Sequence, residues 1–443
     1  MRDHLLRPTE LRSGLTPCAA APFQPSMADP VRRRAKGRGL LQSLALALTL
    51  WAGLQLSAAH AQTPDTLRPQ LATPLQAVQT LLAAGKPQDA LVTLRDIERK
   101  ISDRSLYENY MIERLKAAAA VALSDDPGAV AALEAALKTE KASSAERVTI
   151  LAQLAGLSLK LKDADAAGRW AGAYIQGGGQ DDNVRAILVR SALGKGDCAT
   201  VVEQLAVMLT ATERRGEKPP EGQLRASVAC QAKLGQDEAY FRDLERLLGH
   251  YSKPEYWADL IARLQRRPGF ADRLLLDSFR LMQQVGAMED ADDFVSAAQL
   301  SIRAALPGEA LRFLKAGFDA GALGKGPAAA AHRDLLARVT REAAADKAQL
   351  PDALKQASGA ADARRQFLAG QAAWSHGQVD EGVQMMQQAL ARGITREPDD
   401  ARLHLAVALA SSGRKDEARK LFSGLPPRDG LADLGRLWLL TLR

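Results

Sequence analysis

The sequence predicts an all-α chain built as a helical solenoid, and three observations carry that reading. Alanine and leucine dominate the 443 residues while aromatics reach only 5%, and β-branched runs are scarce, so intrinsic propensity favours helix almost everywhere after residue 70. A hydrophobic share of 47% is enough to build real cores. The third observation is a recurring motif. In SSGRKDEARKLF (Ser411 to Phe422), a turn glycine, Gly413, is followed five residues later by Ala418 and four residues after that by Phe422. Gly377 and Gly382 repeat the glycine-to-small-residue spacing thirty-six residues earlier.

The first sixty-one residues stand apart from this pattern. Arg32, Arg33, Arg34, Lys36 and Arg38 precede the uncharged run GLLQSLALALTLWAGLQLSA, which ends in Ala59-His60-Ala61. A basic region, an apolar region and a small-residue cleavage site in that order form a secretory signal. The length of the run leaves an uncleaved membrane anchor as the alternative, in which case the protein faces the periplasm from the inner membrane. Met27 lies just before the basic cluster, so residues 1–26 read as an over-extended start. Of the net charge of +7, residues 1–61 hold +5, and the rest of the chain is close to neutral. The high isoelectric point therefore belongs to the leader and gives no support to a nucleic-acid partner.

Residues 62–70 form a short polar linker, and the solenoid begins near Leu71. The motif then recurs along the chain: Gly85, Ala90 and Leu94; Ala129, Leu133 and Ala136; Ala167; Gly235 and Leu244; Ala310, Leu314 and Gly317. A spacing of about 34 to 39 residues, with two amphipathic segments around a polar turn in each unit, is the signature of stacked helical hairpins. The small side chain lets the two helices of a unit approach closely, and stacked units share a core that no unit could bury alone. Longer connections near 213–222 and 321–330 are candidate breaks, and residues 328–359 keep a helical composition without the motif. Residues 426–443 predict a terminal helix whose Leu434, Leu437, Trp438 and Leu442 either cap the last unit or dock onto something else.

These residues resemble the tetratricopeptide repeat family. KPEYWADLI supplies Trp257 and Leu260, QFLAGQAAWSHG supplies Gly370 and Gly377, QMMQQAL supplies Ala389 and Leu390, and EARKLF supplies Ala418 and Phe422. The chain departs from the pattern at Tyr240, a position usually small, and at Pro268 and Arg273 in the unit after Trp257. The resemblance implies a right-handed α-solenoid of tetratricopeptide-type helix-turn-helix repeats over residues 71–425. A narrower resemblance concerns the order of segments over residues 250–425, which is similar to the tetratricopeptide proteins encoded beside TonB, ExbB and ExbD homologues. It implies a periplasmic accessory of such a membrane complex. A scaffold for envelope assembly, secretion or polysaccharide machinery shares every feature read so far.

Chemistry-bearing motifs are not found. The Gly324-Lys325 pair lacks the glycine and the Ser or Thr that a phosphate loop needs. His250, His332, His376 and His404 lie in different units with no metal-ligand spacing, and no nucleophile elbow is present. Carboxylate pairs such as Asp181-Asp182, Asp292-Asp293 and Asp399-Asp400 stand where helices begin, where they cap free N–H groups. The sequence thus predicts no catalytic centre, cofactor or metal site, and a protein-binding role instead. A hydrolase or transferase site hidden near His332 is the remote alternative.

Repeat register points Arg190, Arg225, Arg266, Gln299, Arg303, Arg364, Gln371 and Trp374 toward the concave side of the stack. Guanidinium groups pair with carboxylates and a large aromatic anchors an interface, so this face would hold an extended segment or an acidic tail of a partner. Cys198 falls at the start of one helix and Cys230 late in the next, near the same end of the stack. They either form a disulfide or sit as two small core residues.

Overall fold

The computed structural model describes residues 65–358, 362–394 and 396–442. The leader and residues 62–64 of the linker lie outside them. Among the described residues the chain is all helical, with twenty α-helices, one short 3-10 turn at Asp272–Leu274 and no strand. The first ten helices form five antiparallel pairs: α1 (Pro69–Ala83) with α2 (Pro87–Lys100), α3 (Leu106–Ala122) with α4 (Asp126–Lys138), α5 (Ser144–Lys160) with α6 (Ala164–Gln176), α7 (Asp182–Lys195) with α8 (Cys198–Arg214), and α9 (Glu221–Lys233) with α10 (Asp237–His250). An irregular pair follows, α11 (Pro254–Gln265) and α12 (Leu275–Gln284) around the 3-10 turn. Next come α13 (Ala291–Arg303) with α14 (Pro307–Asp319), the single long helix α15 (Ala329–Ser358), α16 (Ala363–Ser375) with α17 (Val379–Arg392), α18 (Pro398–Ser411) with α19 (Lys415–Ser423), and α20 (Leu431–Thr441). Packing continues across both suspected breaks, from α8 to α9 and from α14 to α15.

The recurring motif is a backbone device. Eight hairpin turns place a residue in the left-handed region at Gly85, Ser124, Lys162, Gly196, Gly235, Ala305, Gly377 and Gly413. The turn closes the first helix by an N–H to C=O bond reaching back across the end, as when Gln378 N donates to Ala373 O. Glycine is the natural occupant because it alone reaches that region without steric cost. Five residues on, the next helix presents Ala90, Ala129, Ala167, Val201, Tyr240, Ala310, Gly382 and Ala418 to its partner, all buried. The approach is closest at α16–α17. A Cβ on Gly382 would stand 2.6 Å from the Gly370 carbonyl oxygen and 2.7 Å from Trp374 N. Tyr240 breaks the small-residue rule: its ring is buried beneath the Arg263 guanidinium, 3.9 Å from the ring centre, and its hydroxyl donates to Asp259.

Helix starts follow local rules as well. Ser105 with Glu108 and Ser143 with Glu146 form capping boxes, and Asp125, Asp163, Asp181 and Asp197 accept from N–H groups of the first turns that follow them. Within the stretch that carries no motif, residues 329–358 form α15. It buries Val339, Ala343, Leu350, Leu354 and Ala357 and packs between α14 and α16.

The C-terminal half does not run on as an open stack. From α10 onward each helix packs on the next until α20 returns to α10, while α18 packs on α12 and α16 on α14. Helices α10–α20 thus make a closed circuit. Ala271 N donates to Asp429 O at 3.1 Å, and Phe270 lies against Gly430, where a Cβ would meet its ring at 2.5 Å. The terminal helix α20 packs on α19 and on α10. Leu431, Leu434, Leu437 and Trp438 are buried, and the Trp438 ring stacks on Phe422 with centroids 5.6 Å apart.

Replacing Gly382 with leucine would drive a side chain into the backbone of α16. We expect a loss of about 2–3 kcal/mol, read as a lowered midpoint in thermal or urea unfolding, with Ala418→Ser much milder.

Candidate functional site

Five of the eight residues expected on a concave face are exposed: Arg190 on α7, Arg225 on α9, Arg266 just after α11, and Gln299 and Arg303 on α13. Arg364, at the start of α16, is half-buried and lies 3.6 Å from Glu397. Gln371 and Trp374 correct the expectation, since they retain only 7% and 8% of their exposure. Register did point them inward. The circuit then closes over them, so α12, α14, α16 and α18 meet where an open solenoid would leave a groove.

What fills that space is a polar network. The Arg280 guanidinium on α12 donates from Nε to Glu309 Oε1 at 2.8 Å and from Nη2 to Glu309 Oε2 at 2.6 Å, a bidentate pair with α14. Its Nη1 donates to Asp277 Oδ1 at 2.6 Å. The second oxygen of Asp277 lies 3.2 Å from His404 Nε2 on α18, and His404 Nδ1 lies 2.9 Å from Gln371 Nε2 on α16. Trp374 is flanked by two guanidiniums, Arg280 at 5.2 Å and Arg312 at 5.1 Å from its ring system. Arg312 also donates to the carbonyls of Ser375 and Trp374, placing a cation at the C-terminal end of α16 where the helix dipole favours one.

Burial and partners oppose one another here. Burial alone would raise the Asp277 carboxyl's pKa, but the charges of His404 and Arg280 outweigh it and hold the group at about 2. Burial likewise disfavours the Arg280 cation, yet Glu309 and Asp277 keep it charged beyond its ordinary range. Burial pushes Arg312 the other way, below its ordinary value, with Arg280 adding to the shift. Four helices therefore share a hydrogen-bonded centre in which each carboxylate meets a cationic partner. His376 pairs with Asp346 on α15 at 2.6 Å.

Sequence reasoning missed Arg280, Asp277, Glu309 and Arg312. The signal was present: LLLDSFRLM and PGEALRFL each carry an acid and an arginine three residues apart inside an apolar run. Such a pair sits on one helix face, and a charged face amid core positions implies a buried partner.

Cys198 and Cys230 meet, with Cα atoms 4.9 Å apart and the sulfurs paired as a disulfide. The bond joins the first turn of α8 to the last turn of α9. Among the described residues there is no group of three or more His, Cys, Asp or Glu side chains placed to share a metal ion, and no helix is long and apolar enough to cross a membrane.

A tetratricopeptide repeat family model matches residues 367–432, the segment from α16 to the start of α20. Solved structures similar to this chain include a tetratricopeptide repeat protein from Parabacteroides merdae, with 11% identity over 77% of this chain and 99% of that one at a TM-score of 0.28. The tetratricopeptide repeat domain of P58(IPK) shares 15% identity over 83% of this chain and 98% of that one, with a TM-score of 0.22. Yeast Tom70 shares 10% over 84% and 95%, with a TM-score of 0.24. No curated protein matches the chain in sequence.

Two predictions follow from the buried centre. Glu309→Ala strands the Arg280 cation, and we expect a loss of about 3–5 kcal/mol in denaturant unfolding. The second concerns acid. A carboxylate held at about 2 against an ordinary value of 3.8 adds stability that is complete above pH 4 and is lost as pH falls toward 2. Unfolding free energies measured from pH 5 to pH 2 should therefore fall less steeply for Asp277→Asn than for the natural protein.

Proposed function

We propose that the protein is a non-catalytic scaffold that binds a protein partner through its exposed cationic residues, and that it does so in the periplasm as an accessory of a TonB–ExbB–ExbD-like complex. One observation carries the binding role. Arg190, Arg225, Arg266 and Arg303 are exposed and make no ion pair among the described residues, whereas Arg273 and Arg280 are spent on carboxylates of the same chain. A guanidinium without an internal partner is available to an acidic one.

Repeat architecture supports the reading from another side. A stack of hairpins presents a long rigid surface and is suited to holding a partner rather than to closing water out of a reaction. The likeness of residues 367–432 to tetratricopeptide repeats agrees with this role. Export rests on the basic and apolar leader ending at Ala61, and the TonB-type partner rests on the order of segments over residues 250–425.

The test is crosslinking in intact cells, followed by recovery of the tagged full chain and identification of bound proteins by mass spectrometry. TonB- or ExbB-type subunits should be enriched, and reversing Arg190, Arg225, Arg266 and Arg303 to glutamate should lower that recovery about tenfold or more. Undiminished recovery would remove the cationic residues from the interface. Enrichment of secretion or polysaccharide machinery would keep the scaffold and discard the TonB-type partner.

A further inference from the structure

The closed circuit has one junction unlike its others. Consecutive helices meet through buried apolar side chains, but the junction between the Gln265–Arg273 region with α10 and the Pro426–Arg436 region with α18 is bordered by charge. Arg273 pairs with Asp400 at 2.8 Å and Asp429 at 3.1 Å, Arg267 with Asp433 at 3.2 Å, and Arg436 with Glu245 at 2.8 Å. These groups remain partly in contact with solvent; the side chains of Arg273 and Arg436 keep 36% and 49% of their exposure.

Apolar packing along the same line is incomplete. A cleft of about 320 Å³ runs between the Arg267–Phe270 loop and the Pro427–Gly430 loop, floored by Leu264. Beside it Phe241 of α10, Leu264 of α11 and Leu437 of α20 are buried together. The guanidiniums around the cleft already hold carboxylates of this chain, so the cleft lacks a free charge to recognise a ligand. It opens the outer edge of the junction to solvent, where the ion pairs stand, while Phe270 still meets Gly430 on its inner side.

We propose that this outer junction is an electrostatic clasp, which releases the Pro426–Thr441 segment from α10 and α11 when its ion pairs are screened or outcompeted. Half-exposed pairs contribute little each and weaken with salt, because the screening length falls to about 3 Å at 1 M ionic strength. Sequential helix contacts do not weaken in this way, since burial of apolar surface is not screened. The deeper contact, Asp277 with His404, is closed off from solvent on the Asp277 side and keeps α12 and α18 together as the outer edge parts. Release bares Phe241, Leu264, Phe270 and Leu437 on opposite sides of one line, giving the molecule a second, apolar surface that depends on ionic conditions.

The clasp is independent of the partner assigned above, and its test needs none. Amide hydrogen exchange of the full chain, read by mass spectrometry in 50 mM and in 1 M sodium chloride, reports on the junction directly. The amide of Ala271, which donates to Asp429 O, and the amides of residues 426–441 should exchange at least about fivefold faster in high salt, while those of α13 and α16 stay unchanged. Arg273→Gln should bring the same acceleration at low salt. If that variant misfolds, the natural protein's salt series decides alone. Exchange of the 426–441 segment that ignores salt, or that changes in step with α13 and α16, would overturn the clasp.

Discussion

Two backbones meeting with little more than a hydrogen or a methyl between them is the constraint on which the rest of this structure depends. At α16 and α17 that contact is Gly370 against Gly382, and at the other hairpins an alanine usually stands in the second place. Close approach fixes the angle within each pair. It also aligns the flanking leucines and aromatics with those of the next pair, so a single core continues from Val189 in α7 through to Leu442. The left-handed turn residue five positions earlier matters for the same reason. It sets where the second helix starts, and Ser124, Lys162 and Ala305 hold that conformation even without the freedom of glycine.

Curvature in the C-terminal half turns this regular stack into a closed body. The long helix α15 takes the place of a hairpin, and the unit between α11 and α12 gives its turn to Pro268 and a 3-10 segment. Arg273, which stands where a small residue would be expected, does not enter a hairpin crossing at all. It reaches across to Asp400 and Asp429. The departure from the repeat therefore falls where the two ends of the circuit meet.

Closing a solenoid buries whatever lined its inner side, and those positions carried charge. Arg280 is tolerated because Glu309 meets it with both oxygens and Asp277 takes a third N–H, while His404 and Gln371 satisfy the far side of Asp277. A buried network of this kind adds little to stability over an apolar core of the same volume. It does demand one geometry, because Arg280 meets Glu309, Asp277 meets His404 and Gln371 meets His404 across different helices. The N-terminal helices have no comparable closure, and Arg190 and Arg225 stay in solvent.

The sequence by itself determined the helical hairpins, their spacing and the small residues at their crossings, and it set Cys198 and Cys230 near the same end of the stack with their pairing left open. Each depends on residues close along the chain or one repeat apart, where composition and periodicity speak directly. It also determined that Trp374 and Gln371 turn inward. Only the tertiary structure decided what inward meant. The pairings of Arg280 with Glu309, His404 with Asp277 and Arg436 with Glu245 join residues separated by 29, 127 and 191 positions. Small changes of angle at each stacked pair accumulate over that distance, and no local motif records their sum, so closure, and with it the difference between a groove and a core, was settled by packing alone.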